Sequence, residues 1–248
     1  MAVDFAPGGY RFLPSVFQYS GGVAALAGQR IERVQLSSPL PLAQGFALIA
    51  RQLRAAGRPL TALCACELRS PGQFSEEGFR AFNEHYVVTL REWGLFDGKI
   101  NPVARSNVCP QIEPPREPSL YAFSYTTVAA DPATSFVIAG SAETREGGAS
   151  YRERIIRRGE TTSEALREKA QHVLSELERR MTALGVGWDD TTATQVYTVH
   201  DLHPFFEDIV SRGAARAGLT WHYARPPVRE LEYEMDCRGV ARESVVAT

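Results

Sequence analysis

The sequence predicts an α+β protein made of two similar halves, each with one sheet covered on one face by two helices. Three observations lead there. Strand-like runs alternate with helical stripes, the same order of elements occurs twice, and a turn-forming Asp131-Pro132-Ala133 cluster divides the 248-residue chain near its midpoint. That length falls between one large domain and two small ones at about 100–200 residues per domain, so the units are placed at residues 1–130 and 134–248.

In the first half, residues 30–36 read as a strand with Ile31, Val34 and Leu36 apolar. A helix follows over 42–56, where Phe46, Ile49, Ala50 and Leu53 recur at helical spacing and Gly57 stops it. Residues 60–68 form the next strand. Ser75-Glu76-Glu77-Gly78 opens a second helix with Phe79, Phe82, Tyr86 and Leu90 on one stripe. Strands at 103–109 and 120–128 close the half, separated by Pro110, Pro114, Pro115 and Pro118.

The second half repeats the order. Residues 135–142 are a strand, and Thr161-Thr162-Ser163-Glu164 carries capping-box spacing. The helix it opens has a long apolar stripe, Leu166, Ala170, Val173, Leu174, Leu177, Met181 and Leu184, ended by Gly185. A strand at 192–200, a helix at 204–217, and strands at 219–224 and 231–237 complete it. Gly57 and Gly185 close corresponding helices, and Arg105 and Arg225 each follow an alanine near the start of the penultimate strand, as expected of duplication with drift.

Composition narrows the function. The hydrophobic fraction of 44% and charged fraction of 23% exclude a disordered or fibrous chain, and a net charge of −2 offers no field for a polyanion, so no nucleic-acid partner is expected. Of the 27 basic residues only Lys99 and Lys169 are lysines. Part of that arginine excess is available as fork-shaped carboxylate clamps. Cys64, Cys66, Cys109 and Cys237 lack metal-ligand spacing; they read as buried thiols of a reducing cytoplasm, with Cys64 and Cys66 on one strand face. No apolar window reaches membrane-spanning length and no export signal opens the chain, so no membrane partner is expected. His200 and His203 lack a third metal ligand and read as surface or capping residues, and no metal is expected. The arginines at 152, 154, 157 and 158 read as a solvated face, and Gly147-Gly148 as a turn.

Several stretches share a common likeness. Pro102-Val103-Ala104-Arg105-Ser106-Asn107-Val108 resembles the P-A-R-S-x-V stretch of the RidA (YjgF) family of enamine and imine deaminases. Phe79, Asn83 and Tyr86 resemble its F-x-x-x-N-x-x-Y helix, Gln18-Tyr19-Ser20-Gly21 its P-Y-S-Q-G turn, and Ile138-Ala139-Gly140-Ser141 its I-S-G-Q strand end. Val196-Tyr197-Thr198-Val199-His200-Asp201-Leu202 is similar to its V-F-L-x-D-L strand, and Glu230-Leu231-Glu232-Tyr233-Glu234-Met235-Asp236 to its closing strand. In order, the matches cover nearly the whole chain as a tandem pair.

The resemblance implies two tandem chorismate-mutase-like domains, each a mixed sheet with two helices on one face. It implies a cofactor-independent hydrolytic deaminase that turns an enamine or imine carboxylic acid into the oxo acid and ammonia. The tandem length is similar to that of aminomuconate-type deaminases of aromatic-compound degradation. It further implies a homo-oligomer, a trimer of tandem chains. In this sequence the carboxylate-binding arginine falls on Arg105 and the water-orienting glutamate on Glu234, with Tyr19, Ser106 and Asn107 beside the substrate and Arg225 and Arg229 as candidates for a second carboxylate. The first half's closing strand carries no carboxylate, and the route from Arg225 to Glu234 is short and contains Pro226-Pro227, so each half keeps part of one site. A cleft between the halves, with Arg105 and Glu234 in complementary roles, is the resulting expectation. Two alternatives stand beside it: a non-catalytic small-acid-binding or chaperone-like homologue, and a chorismate-processing enzyme on the same fold.

Overall fold

Each element of the computed structural model follows from the apolar pattern of its segment; the structure describes residues 1–130, 133–145, 147 and 150–248. The expected linker at Asp131-Pro132, and Gly148 of the expected turn, lie outside the described residues. The first half contains β1 (Val3–Phe5), β2 (Tyr10–Phe12), β3 (Gly22–Ala25), β4 (Gln29–Pro41), α1 (Leu42–Ala55), β5 (Leu63–Arg69), α2 (Glu76–Glu92), β6 (Ala104–Pro110) and β7 (Ser119–Val128). The second contains β8 (Phe136–Ala142), the single turn α3 (Tyr151–Arg154), α4 (Ser163–Leu184), β9 (Ala193–Tyr197), α5 (Phe206–Ser211), β10 (Leu219–His222), β11 (Ala224–Arg225), β12 (Glu234–Gly239) and β13 (Arg242–Val246).

These strands form two mixed sheets, ordered β11-β6-β5-β7-β4-β13 and β1-β2-β3-β8-β12-β9-β10. The sheets exchange strands across the sequence midpoint. The β2–β3 hairpin adds to the second half's sheet, with Gly22, Val23 and Ala24 antiparallel to Ile138, Val137 and Phe136. In return β13 runs parallel to β4, from Arg242 opposite Glu32 to Val246 opposite Leu36, and β11 pairs with the end of β6.

Helices cover the outer faces. Phe46, Ile49 and Leu53 of α1 and Tyr86 and Leu90 of α2 pack on Leu63, Leu68 and Phe123 of the first sheet. Val173, Leu174, Leu177 and Met181 of α4 pack on Phe136, Ile138 and Met235 of the second. A third cluster joins the inner faces, bringing Ile31, Cys64, Ala65 and Ala104 against Tyr10, Val23 and Ala139. Gly57 and Gly185 end α1 and α4 at φ of +64° and +78°, left-handed values that glycine adopts without a Cβ clash.

Local details differ from expectation. The cap of α4 is Thr162, whose side chain accepts from the Ala165 N–H at 3.2 Å; this starts the helix one residue later than a box between Thr161 and Glu164 requires. A register shift between Leu63 and Ala65 separates the two neighbouring cysteines: Cys66 faces the α1–α2 core and Cys64 the inter-sheet core. The strand at 219–224 is two pieces, because β10 runs beside β9 while β11 crosses to the other sheet.

Candidate active site

A cavity of about 420 Å³ is lined by residues from both sheets and from α4, among them Tyr19, Arg105, Asn107, Gly140, Arg180 and Glu234. Parallel pairing sets Arg105 of β6 opposite Cys66 of β5 and directs its side chain to the outer, helix-covered face. There the aromatic stripe of α2 receives it. The guanidinium carbon lies 4.8 Å from the Tyr86 ring centre, 5.6 Å from Phe82, 5.7 Å from Phe79 and 5.0 Å from Tyr19. The rings stabilise the cation through their faces and leave its N–H edge open. Arg105 is 3% exposed, has no ion pair among the described residues, and its Nη1 has no hydrogen-bond partner there. Burial pulls its pKa below the ordinary arginine value, opposed by nearby Tyr86 and Tyr19. A buried guanidinium without an anion is a built receptor for a carboxylate.

Tyr19 is fixed by its neighbours. Ser20 N–H donates to Val103 O at 2.9 Å and Ser20 Oγ to Pro102 O at 3.0 Å, while Asn101 Nδ2 donates to Gln18 O at 2.9 Å; together they pin the turn to the start of β6. Asn107 accepts from Ser70 Oγ at 2.9 Å, and its buried Nδ2 has no partner among the described residues, adding a second open donor.

Glu234 begins β12, the strand between β8 and β9, opposite Ala142 and Tyr197. It is 3% exposed. Burial pushes its carboxyl pKa well above the ordinary carboxylate range, with Asp236 and Glu143 adding to the rise against Arg105 and Arg69. Burial thus disfavours the charged form of this carboxyl.

Tyr19, Arg105, Asn107 and Glu234 converge on this cavity; three other expected site residues do not. Ser106 points the opposite way along the strand, and its hydroxyl donates to Asp236 Oδ2 at 2.5 Å. Asp236 also accepts from Gln195 Nε2 at 2.8 Å and Tyr197 Oη at 2.9 Å. The Ser106–Asp236 bond thus ties the strand of Arg105 to that of Glu234. Arg225 sits on β11 opposite Cys109, and its guanidinium is ion-paired with Glu232. Arg229 is exposed, with its backbone N–H donating to Phe74 O at 3.0 Å. The Pro226-Pro227 turn carries both arginines away from the cavity.

Sequence reasoning missed Arg180, Arg154, Arg145 and Tyr151, which also line the cavity. A signal existed for Arg180, which falls three residues after Leu177 on the apolar stripe of α4. Arg154 came from a cluster read as a solvated face; its neighbours Arg152 and Arg157 do pair at the surface, with Glu230 and with Glu160 and Glu168. His200 Nε2 lies 2.8 Å from Glu232 Oε2 and His203 Nδ1 2.6 Å from Asp201 Oδ1, so each histidine meets a carboxylate.

Comparison with known proteins decides the family. A family model described as 2-aminomuconate deaminase CnbZ matches residues 2–244. The chain belongs to this family. A curated relative from Comamonas testosteroni, 2-amino-5-chloromuconate deaminase, is 50% identical over 248 residues, covering 99% of both chains. Among solved structures, a chorismatase superposes with a TM-score of 0.51 at 12% identity, covering 89% of this chain and 77% of that one. That last likeness speaks to the fold, the tandem chorismate-mutase-like α+β arrangement. Deaminase function accompanies the family.

Proposed function

We propose that the CnbZ-family chain is a hydrolytic deaminase acting on a 2-aminomuconate-like enamine acid, and that it works in the cytoplasm with its four buried cysteines as thiols. One observation carries the reading: a caged guanidinium with no anion among the described residues and a buried carboxyl whose charged form burial disfavours line the same cavity.

The chemistry follows from those two groups. Arg105 holds the carboxylate next to the amine-bearing carbon through charge-assisted hydrogen bonds and so fixes the reacting atoms. Protonated Glu234 gives its proton to the enamine carbon two atoms from nitrogen; the C=C electron pair forms the new C–H bond and the nitrogen becomes an iminium. The resulting Glu234 carboxylate aligns a water and takes its proton as the oxygen attacks the iminium carbon. Proton transfer to nitrogen and collapse of the tetrahedral intermediate break the C–N bond, releasing ammonia and leaving the oxo acid. Atoms balance as substrate plus one water, with no redox step.

Ammonia release from freshly generated 2-aminomuconate tests this. Arg105→Ala is expected to lose on the order of 100-fold or more in kcat/KM, and Glu234→Gln on the order of 100-fold or more in kcat. Equal activity of wild type and Arg105→Ala defeats the assignment, and binding without turnover by wild type moves the protein to a carrier role. Because the Glu234 pKa is raised, the required proton is present below that pKa and lost above it. The wild-type rate should fall as pH rises through this range, and a rate that rises instead removes proton donation by Glu234.

A further inference from the structure

Arg180 reaches the cavity from α4, an element unrelated to the strand of Arg105, and it is 9% exposed. Its Nε donates to Glu176 Oε1 at 2.7 Å and its Nη1 to Ala139 O at 3.2 Å. A guanidinium has five N–H donors; beyond these two bonds, those of Arg180 have no partner among the described residues. Glu176 is shared, because Arg179 donates to both of its oxygens at 2.8 and 2.6 Å. Burial pushes Glu176 up, but hydrogen bonds from Arg179 and the charge of Arg180 hold its pKa below the ordinary carboxylate range. One carboxylate thus orients two arginines.

The cavity as a whole is cationic. Among the described lining residues, Arg105, Arg145, Arg154 and Arg180 stand with the carboxyl groups of Glu176 and Glu234. Arg105 and Arg180 both act on the Tyr19 hydroxyl, whose pKa burial raises and these two cations pull back. Both guanidinium groups line the cavity together with Tyr19, from different elements. A ligand with a single carboxylate on Arg105 leaves the largely buried Arg180 cation with no anion among the described residues beyond the shared Glu176. A ligand with a carboxylate at each end answers both.

We propose that Arg180 is the clamp for the second carboxylate of the substrate, so that the site selects enamine acids carrying carboxylates at both ends over those carrying one. For the reaction, this rests on the deaminase function proposed above; for binding it stands alone. The helix fixes Arg180, Glu176 fixes its fork, and the span between Arg105 and Arg180 selects ligand length.

Muconate and sorbate, matched six-carbon dienes with two carboxylates and one, separate the two claims by calorimetric titration of the full chain. Wild type should bind muconate at least about 10-fold more tightly than sorbate. Arg180→Met should lose on the order of 10- to 100-fold for muconate and less than about 3-fold for sorbate. Arg180→Lys keeps the charge without the fork and should fall between; it serves as the readout if the methionine variant does not fold. On aminomuconate the loss should appear in KM ahead of kcat. Equal affinity of wild type for both ligands, or equal loss of both in the variants, overturns the proposal. Arg180-dependent muconate binding without any ammonia release overturns the deaminase function and leaves the clamp standing. Ammonia release from aminomuconate with unchanged KM in Arg180→Met does the reverse.

Discussion

At Gly140 the main chain of β8 passes so close to the candidate acid that a Cβ there would lie 2.1 Å from Glu234 Oε1 and 3.3 Å from Ser106 Cα. Only a hydrogen fits, and Gly140→Ala must push the carboxyl aside. The expected result is a fall in deaminase rate on the order of 100-fold with the fold retained, because a displacement near 1 Å at the reacting groups has about that effect; wild-type activity in that variant would mean that the Glu234 position is not critical. At this scale the sequence was partly legible. Arg105, Asn107, Tyr19 and Glu234 could be picked out because the stretches that carry them resemble the motifs of a known family. Ser106 could not be separated from its neighbours, since which face of β6 meets the cavity depends on pairing with β5. Arg225 was misread because the alanine before it suggested an equivalence that strand pairing breaks. Arg180 and Lys169 were legible in principle: each interrupts the apolar stripe of α4, and a charge at such a position must have a buried partner.

Among the elements, α4 and the β8–β12 pair act as one device. Glu143, just past the end of β8, accepts the backbone N–H groups of Glu232 at 2.6 Å and Tyr233 at 3.1 Å and sits 3.2 Å from Lys169 Nζ of α4. Both side chains of that pair are fully buried. This clip holds the chain immediately before Glu234, so the helix indirectly aims the carboxyl. Lys169→Met leaves Glu143 buried without its cation, and a loss of about 3 kcal/mol, seen as a drop of about 1 M in urea midpoint, is expected at neutral pH. Burial already raises the Glu143 pKa against the pull of Lys169. In the variant that pKa rises further, so the stability its protonated form supplies is present at low pH and lost as pH rises. The gap between variant and wild type should therefore widen from pH 5.5 to pH 8; a gap that stays constant would rule out Glu143 as its source. Helices were the most readable elements, because α1, α2 and α4 each bury a stripe of three-and-four spacing. The short strands β1, β2, β3 and β13 were not read at all: three to five residues carry too little periodicity, and β3 and β13 pair with strands more than a hundred positions away.

For the molecule as a whole, the exchange of terminal strands is the dominant fact. The sheet under α4 is incomplete without residues 3–25, and the sheet under α1 takes both edge strands, Ala224–Arg225 and Arg242–Val246, from the second half. The inter-sheet cluster around Tyr10, Ile31 and Ala139 then makes the two layers mutually dependent. A single calorimetric unfolding transition is expected, and fragments cut at residue 130 should be unfolded alone; two resolved transitions would show independent halves. The duplicated order of elements was legible, whereas the exchange was not, since a repeat in sequence says nothing about which copy a terminal strand joins. The exchange also has a consequence for how the protein is made. The β2–β3 hairpin beside Tyr19 has no strand to join until β8 has been made, roughly 5 to 20 s later at ordinary elongation rates. Glu234 is made later still, so the pocket takes shape only after β12 has been synthesised.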